Sequence, residues 1–398
     1  MVVIVVNHFS DGLKDYQSAF KNYNGEIIFL TTEKNKGAYF NLFKNRKIFN
    51  DFYKQNDLSN FILEYSKSNQ IDSIIATHEF DLEKIGRIRD ELQIRGQTEH
   101  SALEFRNKFI MKQKLVDKIK MPKFKMSENY DELKSGIKYL GFPLVIKPLD
   151  SAGSIGVKIY RTIEEVVEEE IKYPVLLEEY IPGDIMYHVD GLYHDGSLIF
   201  CKASEYVNGC LAFKEGKFIG SILLKDNEGM SIRLQKETLK VLQNLDTPEH
   251  VIPFHAEFFY HNDEIIFCEI ACRIGGGKIN EMIRESTGVD LFVESIKASL
   301  SDDYQFINNT DVDDKYYGFI LIPAKKGRLM DIGDCNLTEV KQFYKKDNKI
   351  GKVFQGGDYS ASEIVSAIVC SENRKSLKNS MLKFSLWSEE NVKWDLIS

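Results

Sequence analysis

Over the first hundred residues, short apolar runs alternate with amphipathic stretches. Val2 to Val6, Glu26 to Leu30 and Ser73 to Thr77 read as strands. Ser10 to Lys21 fits a helix, two helical patterns fill much of Tyr39 to Ser68, and Phe80 to Leu92 fits another helix. Strands alternating with helices predict βαβ units and a parallel sheet, hence a small doubly wound α/β domain over residues 1–100. No GxGxxG follows the first strand, which argues against a dinucleotide site there.

From Ser101 the pattern changes. Ser101 to Lys120 forms one or two helices rich in Lys and Arg, stopped by Pro122. Ser127 is expected to cap a helix from Tyr130 to Leu140, which Gly141 ends. Residues 142–148 form a β-type run ending near Lys147, followed by the small-residue stretch Asp150 to Gly156 and a resumed strand at Val157 to Tyr160. Thr162 to Glu165 has the form of a capping box opening an acidic helix. Pro174 to Ile181 contains another strand, and Met186 to Tyr193 with Leu198 to Glu205 forms a hairpin around Asp195-Gly196. Ser231 to Leu245 and Lys278 to Leu300 are helical. Short strands return from Tyr316, with Gly327, Gly351 and Gly356-Gly357 as turns, and Ser371 to Leu382 fits a helix.

Between these lies the stretch that carries most chemistry, residues 252–277. Phe254 to Tyr260 and Glu264 to Ile270 read as two strands around the polar turn His261-Asn262-Asp263. A turn centred near Asp263 sets Glu257 opposite Glu269. Facing residues have Cβ atoms roughly 4.5–5.5 Å apart, a distance at which two carboxylates repel unless a cation lies between them. Alternation puts Glu269, Ala271 and Arg273 on one face, and three glycines follow at once. Hard cations take carboxylate and phosphate oxygens together, so the pattern suggests a nucleotide–metal site; a charged solvent face is the plain alternative. The loop before Val157 can fold backbone N–H groups over phosphates, with Lys147 beside it as a point charge.

With 398 residues the chain is long enough for two or three domains, and 43% hydrophobic with 28% charged residues is normal for a globular protein. A net charge of −8 argues against a general nucleic-acid binder. The apolar start lacks the basic region and cleavage site of a signal peptide, and no apolar run approaches the roughly 18 residues of a membrane span, so a cytoplasmic location is expected. The six cysteines show no CxxC and read as scattered core thiols.

The order of these motifs resembles the ATP-grasp superfamily of carboxylate–amine ligases, most closely the bacterial L-amino-acid ligases and related ligases of peptide and antibiotic biosynthesis. The residues that carry the resemblance are Arg106-Asn107-Lys108, Val145 to Pro148, Ser151 to Gly156, Leu177 to Gly183, His255-Ala256-Glu257, Glu269 to Gly276, and the Gly-Gly-Gly-Lys-Ile helix start with Ser286 to Leu291. The resemblance implies an ATP-grasp fold behind an N-terminal α/β domain of residues 1–100, with a lid subdomain over 101–185 and a large subdomain with a C-terminal extension over 186–398. It implies that Lys108 and Lys147 contact ATP phosphates and that the loop with Ser151, Ser154 and Gly156 closes over them. Glu178 would lie near the adenine, Glu179 and Ile181 would form the hinge reading its edge, and Asp184 is the nearest match to the ribose-binding acid. Glu257 and Glu269 would hold Mg²⁺ or Mn²⁺, and Arg273 would face an acyl phosphate. Where the family has Asn two residues after the second metal glutamate, this chain has Ala271.

The activity so implied is ADP-forming amide bond formation between small molecules, an amino acid and a second amino acid or amine. Loading of a carrier protein or peptide terminus, and a non-catalytic ATP-binding protein, are the alternatives. The partners implied are the two small-molecule substrates, with no nucleic acid or membrane, and a homodimer at family level. Substrate pockets are expected around Val207 to Ile222 and Ile279 to Thr287, and His188 and His255 are expected to be structural.

Overall fold

The computed structural model describes residues 1–10, 13–53, 56–182, 185–301, 303–307, 313–357 and 362–396. Four parallel strands open the chain: Val2–Asn7, Glu26–Thr32, Arg46–Phe49 and Ser73–Ala76. Their order across the sheet is third, second, first, fourth. Alternation sends Ile4, Val6, Ile28 and Leu30 to the face covered by the helices Asp57–Ser66 and Leu82–Leu92. Val3, Val5 and Phe29 go to the other face, where they meet Tyr16, Phe43 and Phe292. A parallel sheet covered on both faces needs apolar residues at every position, which is why these strands read as unbroken runs. Each such side chain contributes about 1.5–3 kcal/mol on burial.

Within residues 39–68 the expectation of two helices is only half right. A strand, Arg46–Phe49, occupies the first half, because Ile48 and Phe49 pair with Thr31 and Thr32 at the sheet edge. The helix expected over Ser10 to Lys21 shrinks to Tyr16–Ala19, whose first turn Asp15 caps from inside that run.

Helices Glu99–Arg106 and Lys108–Leu115 follow, broken at Asn107, whose side-chain oxygen accepts from the N–H groups of Phe109 and Ile110 at 3.0 and 3.2 Å. They lead into an antiparallel sheet ordered Phe124–Ser127, Val175–Glu179, Leu144–Pro148, Lys158–Tyr160. Ser127 ends the first of these strands and does not cap the helix Tyr130–Leu140; that cap is Asn129, which accepts from Glu132 N at 3.0 Å. No helix opens at Thr162. Only the single 3₁₀ turns Ile163–Glu165 and Glu168–Glu170 form, since Glu164, Glu165, Glu168, Glu169 and Glu170 repel one another and the stretch is exposed.

The largest sheet has eight antiparallel strands, in the order Glu264–Ala271, Ile252–His261, Ile185–His194, Ser197–Val207, Ile219–Leu223, Tyr316–Pro323, Glu363–Ser371 and Val340–Lys345. Helices Ile279–Thr287 and Leu291–Leu300 bury Met282, Ile283, Phe292 and Ile296 in one core with the N-terminal sheet. Helix Gly229–Leu242 packs on the other face with Leu234 and Val241. A three-stranded sheet, Val353–Gln355, Lys326–Ile332, Val392–Leu396, closes the chain with helix Arg374–Asn391. Gly327, expected as a turn, lies inside a strand, where a Cβ would stand 2.5 Å from the Asp395 carbonyl.

Candidate active site

The site is built around the hairpin of Ile252–His261 and Glu264–Ala271. Its turn residues Asn262 and Asp263 both lie in the left-handed region, with φ of 50° and 61°, as a two-residue turn matching strand twist demands. From the turn, partners run from His261 with Glu264 to Phe258 with Phe267; Cys268 is then an extra residue, after which Glu257 faces Glu269. The expected pairing is present, but a β-bulge at Cys268 causes it and not a turn centred on Asp263.

Glu257 is held from several sides. Its Oε1 accepts from the Tyr206 hydroxyl at 2.7 Å, and His255 Nε2 stands 3.5 Å away. Burial pushes the Glu257 carboxyl up, but His255 and Tyr206 outweigh it and bring it down to about 2. Behind His255, the fully buried Asp190 lies 2.8 Å from His255 Nδ1 and 2.5 Å from His188 Nδ1, and His188 Nε2 lies 2.7 Å from Ser221 Oγ. Burial lowers the His255 imidazole, yet Asp190 overcomes this and raises it to about 10. The two histidines thus sit in a buried polar chain that fixes Glu257. A Cβ at Gly275 would lie 2.4 Å from Asp190 Oδ1, so the glycine loop approaches this chain only because it carries none.

Lys108 Nζ lies 3.4 Å from Glu269 Oε2 and donates to the Ser151 carbonyl at 2.6 Å, so it ties the small-residue loop to the second carboxylate. In that loop Gly153, Ser154 and Gly156 have φ of 62°, 61° and 75°. Lys147 is buried and pairs with Glu178 Oε2 at 2.8 Å; Lys112, fully buried, stands 3.0 Å from Glu178 Oε1 and donates to the Cys268 carbonyl at 3.1 Å. Burial opposes both charges, but Lys112 and Lys147 hold the Glu178 carboxyl below its ordinary value, and Glu178 holds the Lys147 ammonium above its own. Removing one partner of such a buried pair costs about 3–5 kcal/mol. Glu179 donates its N–H to the Lys123 carbonyl at 2.9 Å and ends the strand, Tyr180 donates to Pro143 O at 3.3 Å, and Ile181 lies beyond the sheet. Asp184 lies outside the described residues.

Arg273 follows the second strand. Its Nε donates to Glu79 Oε2 at 2.7 Å, and Arg106 Nη1 donates to Glu79 Oε1 at 2.5 Å. Burial pushes Glu79 up, but Arg273 and Arg106 bring it down to about 2. Glu257, Glu269, Arg273, Gly275 to Gly277, Gly153 and Ser154 all line one cavity of about 490 Å³, to which Lys14, Glu79 and Phe292 also contribute.

Glu79, Lys112 and Tyr206 were not legible as site residues. Lys112 has a local signal, one helical turn beyond Lys108 on the same face. Glu79 has none, since 194 positions separate it from Arg273. Two facing carboxylates beside glycines, with ammonium groups behind them, form a donor set that fits Mg²⁺ and polyphosphate oxygens.

No family model matches the chain. It is 24% identical to the L-arginine-specific L-amino acid ligase of Bacillus subtilis, over 81% of this chain and 80% of that protein. It is also 24% identical to the carbamoyl phosphate synthase large chain of Saccharolobus islandicus, over 54% of this chain but 20% of that one. Among solved structures, the L-amino acid ligase of Bacillus licheniformis superposes with a TM-score of 0.76 at 15% identity, covering 100% of this chain and 99% of that one. The N5-carboxyaminoimidazole synthase of Aspergillus clavatus, in complex with ADP and its ribonucleotide, gives 0.73 at 14% identity, covering 98% of each.

Proposed function

We propose that the chain is an ATP-grasp ligase that joins the carboxylate of one amino acid to the amine of a second amino acid or small amine, with cleavage of ATP to ADP. The observation that carries this reading is the Glu257–Glu269 pair facing one cavity with Arg273. The 24% identity to an L-amino acid ligase across four-fifths of both chains supports it.

Glu257 and Glu269 would hold Mg²⁺, which supplies charge neutralisation at the β- and γ-phosphate oxygens. Lys108 and Lys147 steady the phosphates, and catalysis there is chiefly positioning. The substrate carboxylate attacks the γ-phosphate of ATP and displaces ADP to give an acyl phosphate; the incoming amine then attacks the acyl carbon, and the tetrahedral state collapses to the amide with loss of inorganic phosphate and a proton. Arg273 donates toward the oxyanion of that tetrahedral state, a contribution of about 2.7–4 kcal/mol for one donor. The Ser151 to Gly156 loop, tied through Lys108, keeps water from the acyl phosphate. Ala271 offers no ligand atom where the family has Asn, so a bound Mg²⁺ would keep water at that position.

The test is a coupled ADP-release screen over pairs of amino acids, with bicarbonate as an additional carboxylate donor. ADP release that needs two amino acids supports the proposal. Release with bicarbonate alone, or none with any amino acid combined with a second amino acid or with a panel of small amines, refutes it.

A further inference from the structure

A second cluster of metal-ligand type lies outside the carboxylate pair. His8 follows strand Val2–Asn7, and His78 and Asp81 follow the adjacent parallel strand Ser73–Ala76. One donor atom from each lies within 4.8 Å of the other two. The strand order reverses between these strands, because Glu26–Thr32 joins the opposite side of Val2–Asn7. In open parallel sheets, ligands bind at the carboxyl ends of strands at such a reversal.

The cluster is unsatisfied as it stands. Asp81 is 0% exposed, and no well-aligned hydrogen bond satisfies either carboxylate oxygen, although the Tyr53 hydroxyl stands beside it and reaches His8 Nε2 at 3.4 Å. His8 Nε2 comes within 2.7 Å of Asp81 Oδ2, but outside hydrogen-bonding alignment, and the buried His78 Nδ1 has no partner. A buried carboxylate without a donor costs several kcal/mol or more, and a cation among the three groups removes the deficit of all at once. The other His–Asp–His cluster, at Asp190, is already joined by hydrogen bonds and offers no such vacancy of partners.

We propose that His8, His78 and Asp81 form a binding site for a divalent transition metal of the Zn²⁺ class, with ligands distinct from the Mg²⁺ carboxylates but bordering the same cavity, which His78 also lines. Two imidazoles and a carboxylate favour Zn²⁺ and its neighbours over Mg²⁺, and three protein ligands leave a position for water. Donors of a tetrahedral site with bonds of about 2.0–2.2 Å stand roughly 3.3 Å apart, so His8 and Asp81 part slightly on binding. The ion straps the end of the first strand to the turn Glu79–Asp81. That turn carries Glu79, which holds Arg273, so the strap also steadies the arginine in the cavity.

The experiment uses the full chain after chelator treatment and desalting, in saturating Mg²⁺, titrated with Zn²⁺ and separately with Co²⁺. The expected result is a single tightly held equivalent by elemental analysis, visible absorption from nitrogen-bound Co²⁺, and a raised thermal midpoint. His8→Ala and His78→Ala, checked for folding by circular dichroism, each weaken Zn²⁺ binding by about tenfold or more. Glu269→Gln, which disables the carboxylate pair, binds Zn²⁺ as wild type does, so this outcome is independent of the ligase reading. Absence of a tight equivalent, or unchanged affinity in both histidine variants, overturns the proposal. So does loss of the ion in Glu269→Gln alone, which would place it at the carboxylate pair.

Discussion

Replacing Glu79 by Gln keeps the shape of the side chain and removes the charge that Arg273 and Arg106 share. The carboxyl sits at about 2 against an ordinary value of 4.5, a difference of 2.5 units. At about 1.36 kcal/mol per pH unit, the ionised carboxylate and its two arginines contribute about 3 kcal/mol net of desolvation at pH 7. That agrees with the roughly 3–5 kcal/mol lost when one partner of a buried pair is removed. Because the folded value is depressed, the contribution is present above pH 4.5 and is lost as pH falls through 2, so less than half of it remains at pH 3. Tryptophan fluorescence would miss the effect, since the two tryptophans, Trp387 and Trp394, lie in the C-terminal helix and strand. Native-state hydrogen exchange of the amides in Leu82–Leu92, beside the turn that carries Glu79, reads the local opening free energy directly. The expected outcome is a deficit of about 3 kcal/mol for Glu79→Gln at pH 7 that shrinks by more than half toward pH 3. A deficit below about 1 kcal/mol at pH 7, or one that does not change with pH, would refute the reasoning.

Three further outcomes test the proposed function. Glu269→Gln keeps the fold but abolishes Mg²⁺-dependent ADP release, and near wild-type turnover at ordinary Mg²⁺ would remove the carboxylate pair from the metal site. Arg273→Met binds ATP about as well as wild type by calorimetry but loses substrate-dependent ADP release by about 10²–10³-fold, the pattern of an interaction felt only in the transition state; a parallel loss of ATP affinity would make Arg273 a nucleotide ligand. Limited proteolysis cuts near Ser151 to Gly156 without nucleotide and slows with ATP and Mg²⁺; cleavage that nucleotide leaves unchanged would show that the loop does not cover the phosphates.

Elements whose stability is local or strongly patterned were legible. The strands Val2–Asn7 and Glu26–Thr32 announce themselves by unbroken apolar runs, and the Glu257–Tyr260 side of the hairpin by its polar turn. The elements that sequence misassigned depend on distant partners. Arg46–Phe49 has a charged, mixed pattern and becomes a strand only because an edge is free beside Thr31. The glutamate run after Thr162 carries a capping signal that mutual repulsion defeats. In the site, the carboxylates and Arg273 stand out because they are close in sequence to each other and to the glycines. Glu79 does not, because pairing across 194 positions leaves no periodic trace, whereas His188 and His255, expected to be structural, do form the buried chain behind Glu257; their partner Asp190, enclosed among three strands, carried no signal.

The bulge at Cys268 sets a phase. Between it and the turn the partners' numbers add to one constant, and beyond it to the next. The tip of the hairpin is therefore insulated from the carboxylates: lengthening both arms equally leaves Glu257 and Glu269 opposed. Ironing out the bulge while keeping Cys268 does the reverse. Glu257 then meets Cys268, Glu269 turns to the other face, and the carbonyl that Lys112 grips is drawn into the ladder, so one looped-out cysteine keeps the hairpin in step with both the cavity and the Glu178 ion pair.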